Sequence, residues 1–132
     1  MQVQAVEPIM SEDPVRMAAR VWSAIGLRAE PLNAAAMRQL NSRLPNERPY
    51  RGGLRIISVR PGSPAESHEI RPGDVLLGLH KWQTTSMLDL DAILRNPEIK
   101  RLDQAKFYIV RRNQTLEGQL RLAGNRPTAT SR

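Results

Sequence analysis

Few side chains in this sequence could do covalent chemistry. Its histidines are His68 and His80, so a histidine-dependent hydrolytic triad would have to use one of them. Neither stands near a glycine-flanked serine elbow, and His68 falls on a short helical turn after Pro64, a surface position. Asp89 and Asp91 are two apart on a helical stretch and face different directions, which does not make an acid and base pair. Two histidines without an HExxH spacing or an acidic cluster give no metal site, and Gly52-Gly53 lacks the lysine and spacing of a phosphate loop. With no cysteine there is no thiolate, disulfide or thiolate ligand. The expectation is a chain without a catalytic constellation, metal or cofactor.

What remains is a binding surface. Ile25-Gly26-Leu27 places consecutive backbone N–H groups at the start of a short strand, where a glycine lets the backbone approach a ligand closely. Such a nest can hold a carboxylate. If that strand lies beside a helix from Met87 to Leu94, the groove between them could accept an extended peptide as an added strand, with its terminal side chain in an apolar pocket. The same residues also fit a plainer reading. Gly26 would then relieve a bulge in an edge strand, and Met87 and Leu94 would be ordinary core residues.

The elements that must position these residues are punctuated clearly. Asp13-Pro14 reads as an N-cap with proline at the first helical position, and Val15, Ala18, Ala19 and Trp22 follow at the spacing of one apolar helix face. Ile25, Leu27 and Ala29 alternate at strand period up to Pro31, as in a sheet-edge strand. Asn33 can cap a helix over 34–40, and the polar, proline-punctuated run from Asn41 to Arg51 reads as a mobile loop. Leu54 to Val59 is a strand. It runs into Arg60-Pro61-Gly62-Ser63-Pro64-Ala65, where Ser63 can cap one helical turn, and Arg71-Pro72-Gly73-Asp74 releases the chain into a strand from Val75 to Leu79. After a turn at His80 to Gln83, a helix from Met87 to Arg95 stops before Pro97. Strands at 105–111 and 115–122 close a hairpin in which Asn113 takes positive φ.

A length of 132 residues bounds the chain to about one domain with an aliphatic core, since aromatics are only 4%. Residues 1–13 are expected to be a disordered linker, 14–123 the domain with its N-terminal helix, and 124–132 a disordered tail. The net charge of +7 would suit an acidic partner, but the arginines are spread over every segment, as on a solvated surface, so nucleic acid is not the expected partner. No apolar run approaches the roughly 20 residues needed to span a bilayer, and the N-terminus lacks a basic region followed by an apolar stretch. The expectation is a cytoplasmic protein, or a piece of a longer one that carries its targeting segment elsewhere.

Val59-Arg60-Pro61-Gly62-Ser63-Pro64-Ala65, followed by Ile70-Arg71-Pro72-Gly73-Asp74-Val75-Leu76, resembles the signature of bacterial, permuted PDZ domains. The likeness runs from about Trp22 to Ala123 and is greatest to the C-terminal PDZ of HtrA/Deg-type serine proteases. It implies an α+β fold: a small, partly open β-barrel or sandwich of about five strands capped by two helices, here with an extra N-terminal helix. It also implies that Ala24-Ile25-Gly26-Leu27 is the carboxylate-binding loop, that Arg28 and Ala29 continue the strand that pairs with a peptide, and that Met87, Asp91 and Leu94 form the groove face of the peptide-binding helix while Leu90 points to the core. Its implied partners are C-terminal or extended peptide segments and a protease domain on the same parent chain, in the bacterial periplasm or cell envelope. A stand-alone or regulatory interaction module, or a PDZ of another protease type, is the alternative. The sequence departs from the family pattern at His68-Glu69, where a small residue and glycine are usual, at His80-Lys81, where Asn-Gly is usual, at Ala24, where the first loop residue is commonly bulky, and at the charged Asp91.

Overall fold

The computed structural model describes residues 14–44 and 49–122. The linker and tail expected at the two ends lie outside the described residues. The elements are helix α1 (Pro14–Ala24), strand β1 (Leu27–Pro31), helix α2 (Ala34–Arg43), β2 (Leu54–Val59), the one-turn helix α3 (Pro64–Ser67), β3 (Val75–Leu79), the short β4 (Trp82–Gln83), helix α4 (Met87–Arg95), the one-turn helix α5 (Pro97–Lys100), β5 (Gln104–Arg111) and β6 (Gln114–Arg121). The six strands form one open antiparallel sheet in the order β1-β2-β3-β5-β6, with β4 paired to β3. The α+β architecture expected from the sequence is the one observed.

Local chemistry accounts for most boundaries. The side chains of Asn33, Ser63 and Ser86 each accept a hydrogen bond from a backbone N–H three residues on, the arrangement that satisfies an orphan donor in a first helical turn. At the hairpin between β5 and β6, Arg112 and Asn113 both have positive φ, 54° and 64°, the twist that a two-residue connection needs. The loop expected from Asn41 onward is shorter than its polarity implied: α2 extends to Arg43, and the Asn41 amide clamps Tyr50 from both sides, donating to its carbonyl and accepting from its N–H, each at 2.9 Å. The helix expected to end before Pro97 does so, but Asn96 then caps α5 with proline at its first position, a second start signal inside a stop signal.

The sheet is covered on both faces. On one, α1, α3 and α4 bury Val21, Ile25, Leu27, Leu54, Ile56, Ala65, Leu76, Leu90 and Phe107, among others. On the other, Met37, Leu40 and Leu44 of the α2 segment meet Leu77 and Val110. A register shift between β3 and β5 at Leu76/Gly78 allows this division, because it passes Leu79 back to the same core as Leu76, while Leu77 serves the opposite face. The apolar face of α1 differs from the expected one: Val21 is fully buried and Met17, Ala18 and Ala24 are partly buried, whereas Val15 is 72% exposed and Ala19 is exposed. Docking on α4 selects the face, and an alanine-rich helix offers more than one helical spacing to choose from.

Candidate functional site

The Ala24-Ile25-Gly26-Leu27 loop joins α1 directly to β1. Gly26 sits at φ 85°, and a Cβ there would overlap the Cβ and Oγ of Ser63, so both the backbone and the space demand glycine. The loop is pinned to the β2–α3 turn by two bonds: Ala65 N–H donates to the Ile25 carbonyl at 2.9 Å, and Arg60 N–H to the Gly26 carbonyl at 2.7 Å. Its own donors face the other way. Ile25 N–H and Gly26 N–H both donate to the carbonyl of Val21, at 3.0 and 3.1 Å, closing the C-terminus of α1. Arg60 completes that cap, Nε donating to the Trp22 carbonyl at 3.0 Å and Nη2 to that of Ser23 at 3.3 Å, a cation at the negative end of the helix.

Because Arg60 bonds to Gly26, the alternation of an antiparallel ladder turns the next N–H, that of Leu27, away from β2. That side is open, for β1 ends the strand order. The register shift in the β1–β2 pairing lies at Arg28/Ala29, opposite Ile57, rather than at Gly26. Bulge relief therefore does not explain this glycine. Arg28 is exposed and its guanidinium carbon lies 4.7 Å over the Trp22 ring.

Helix α4 packs beside α1 and β1. Leu90 is fully buried in the core, while Met87 and Leu94 are half-buried against it. Asp91, one turn from Met87 and flanking Leu94, is 1% exposed. Its carboxylate is held by a two-pronged pair from α1, Arg20 Nε to Oδ1 at 2.9 Å and Nη2 to Oδ2 at 2.7 Å, with Arg95 Nε 3.4 Å from Oδ2. Together Ala19, Arg20, Ser23, Ala24, Asp91, Leu94 and Arg95 line a cleft of about 520 Å³ between the two helices. The predicted loop, strand and helix residues are thus neighbours. Sequence reasoning missed Arg20, Arg60 and the Val21 carbonyl; Arg20 meets a partner 71 positions away, and no local pattern announces that pairing.

Of the polar residues noted in the sequence, His80 has structural partners, and so do Lys81 and Asp74. His80 Nε2 lies 2.9 Å from Glu98 Oε2, and Lys81 Nζ lies 3.0 Å from Oε1. These hydrogen bonds, from His80 first and Lys81 second, hold the Glu98 carboxyl below its ordinary pKa. Asp74, 3% exposed, accepts Arg111 Nε and Nη2 at 2.9 and 2.7 Å and the Arg71 N–H at 2.8 Å, which ties the second Pro-Gly turn to β5. The bond to Asp74 raises the Arg111 guanidinium above its ordinary value. Gly52 and Gly53 are buried, and a Cβ on either would crowd Thr85 or Val75, so packing accounts for that pair. Two departures noted in the sequence become left-handed backbone: Glu69 at φ 65° and His80 at φ 60°.

No family model and no curated protein matches the chain. Solved structures do. An HtrA3 PDZ domain bound to a phage-derived ligand (FGRWV) aligns over 74% of this chain and 82% of its own, with a TM-score of 0.53 and 16% identity. An HtrA-type protease, a variant of AlgW with a decapeptide, aligns over 89% of this chain with a TM-score of 0.57 and 15% identity. The present chain spans 36% of that protease chain. At such identities the likeness speaks for architecture alone: the chain has a PDZ-like α+β fold.

Proposed function

We propose that this chain is a peptide-binding PDZ module that takes an extended segment of another protein as an additional strand on β1. The observation that carries this reading is the position of β1: it ends the sheet beside α4, with the positive-φ Gly26 loop at its head. The Leu27 N–H and the backbone to Ala29 offer the ladder, Met87 and Leu94 offer apolar contacts for alternate ligand side chains, and Ala24, Ile25 and Gly26 shape the end where the ligand stops or turns away. The chemistry of such a module is capture, and cleavage would belong to a protease domain elsewhere on the parent. The reading extends to the substrate-recognition or regulatory domain of an HtrA-like trypsin-type serine protease of the periplasm or cell envelope, acting on C-termini or exposed apolar segments of misfolded proteins. Titration with a peptide library, followed by backbone amide shifts, should move Leu27 to Ala29 and Met87 to Leu94; shifts confined to other surfaces would refute it.

A second reading has its own support. Helix α1 places Arg20 on the groove residue Asp91 and the Val21 carbonyl on two loop donors, so the module's own chain sits at the site. A domain that positions protomers or restrains a protease would be built this way. Removing the module would then change oligomer size while peptide affinity stayed negligible.

A further inference from the structure

We infer that the last turn of α1 is a built-in occupant of the groove, and that an extended peptide gains the site only by displacing it. The inference rests on the peptide-binding reading and assigns the regulation of that site. Successive N–H groups at the head of an edge strand are where the terminal oxygens of a ligand would be held. Here they are taken: Ile25 N–H and Gly26 N–H both donate to the Val21 carbonyl, at 3.0 and 3.1 Å. That carbonyl lies at the negative end of a helix, so it matches an incoming carboxylate in sign as well as in position.

The Val21 side chain extends the imitation. It is fully buried in the cluster that holds Ile25, Leu27 and Leu90, with Met87 and Leu94 packed against that cluster. A ligand side chain reaching between β1 and α4 needs this same volume, and close packing leaves no second place for it. Arg20, the residue before Val21, reaches across to Asp91 on α4 with two bonds of 2.9 and 2.7 Å. Two consecutive residues thus supply an acceptor for the loop, an apolar side chain for the core and a bridge to the helix opposite.

The turn is built so that it can leave. Helix α1 stands outside the sheet, and most of its residues are half-buried or exposed, Val21 being the exception. Its polar ties lie where water can replace them: the bond from Arg60 Nη2 to the Ser23 carbonyl is exposed, and the Arg20–Asp91 pair is part-buried. Leu90 and Ile93 keep α4 on the main core when the turn lifts. Opening so lightly buried an element costs less than unfolding the domain. The observed peptide affinity is then the intrinsic affinity scaled by the open fraction, and a partner that grips docked α1 weakens peptide binding in the same proportion.

The probe is a decapeptide of alternating Thr and Val, led by lysines for solubility and ending in a free Val, titrated into the full chain. Binding is read from the amide shifts of Leu27 to Ala29, and the state of α1 from hydrogen exchange of the Val21 to Ala24 amides. At saturation those α1 amides should exchange faster than in the free protein by about tenfold or more. Ala19→Gly loosens α1 at an exposed position and leaves β1 and α4 unaltered; it should tighten peptide binding by about fivefold, the usual cost of glycine inside an exposed helix. Shifts along β1 with α1 exchange unchanged or slowed, or equal affinity of parent and variant, would overturn the inference while leaving strand addition intact. Absence of shifts along β1 in both proteins would overturn the peptide-binding reading itself and this inference with it.

Discussion

Replacing Gly26 by alanine separates backbone strain from packing at the head of β1. Two costs are visible in the structure. At φ 85° any side chain enters the left-handed region, about 1–2 kcal/mol. The new Cβ would also overlap the Cβ and Oγ of Ser63, and Ser63 cannot easily retreat: it is 1% exposed, its N–H donates to the Arg60 carbonyl, its carbonyl accepts from Ser67 N–H, and its hydroxyl caps α3 through Glu66 N–H. Displacing it should cost a further ~1–3 kcal/mol of repacking and about 1 kcal/mol of cap. The sum is about 3–6 kcal/mol, a large share of a stability of roughly 5–15 kcal/mol. Gly62 provides the comparison, because its φ is 78° but a Cβ there meets nothing within 4 Å. Gly62→Ala should therefore lose only the backbone part, about 1–2 kcal/mol. Urea unfolding at constant m-value measures both. Ser63→Gly, which keeps an acceptable cap residue and removes the overlapping atoms, should recover about 2–4 kcal/mol in the double variant with Gly26→Ala. Equal losses at Gly26 and Gly62, or no recovery with Ser63→Gly, would refute the reasoning.

Three further outcomes are expected. Asp74→Ala removes the acceptor for Arg71 N–H and both Arg111 bonds; with Arg111 about a quarter exposed and able to rehydrate, the loss in denaturant unfolding should sit near the low end for a broken buried pair, about 3 kcal/mol. Glu98 has a lowered folded pKa, so its contribution is fully present above the ordinary carboxylate range and is lost as pH falls through the folded value; Glu98→Gln should be less stable than the parent at neutral pH and converge with it in acid, as followed by thermal unfolding across pH. Glu69→Gly should raise stability by about 0.5–1 kcal/mol, since it relieves a left-handed residue while loosening the unfolded chain somewhat, and unchanged or lower stability would count against strain at that position.

Much of the fold was legible because short-range chemistry writes it. Asn33 and Ser63 were recognisable caps, and the paired Pro-Gly turns bracket α3 as expected. The positive φ at Asn113 followed from turn chemistry, though Arg112 shares it. What stayed hidden depends on contacts between distant segments. The buried face of α1 is chosen by α4, and α5 was masked because Asn96-Pro97 ends one helix and starts another. At the head of β1, the glycine turn and the neighbouring helix from Met87 could be read from the sequence, yet the engagement of the Ile25 and Gly26 donors could not. It requires α1 to run up to the loop without a break, a matter of how its last turn docks. Asp91 looked like a misplaced charge in a groove. Its neutralisation by Arg20 makes sense of it only in three dimensions.

The two-sided sheet has a consequence for the life of the folded chain. Helix α2 is held by a small cluster on the far face of β3 and β5, with Met37, Leu40 and Leu44 against Leu77 and Val110, while the glycine loop and α4 draw on the larger core opposite. The free energy of local opening follows the apolar surface buried, so α2 is the element that detaches at lower cost and exchanges its amide protons sooner. Such an opening leaves the β1 edge and its neighbours intact. Insertions, tags or cross-links introduced around α2 should thus be absorbed without reaching the groove, and the two faces of the sheet can change independently over evolutionary time.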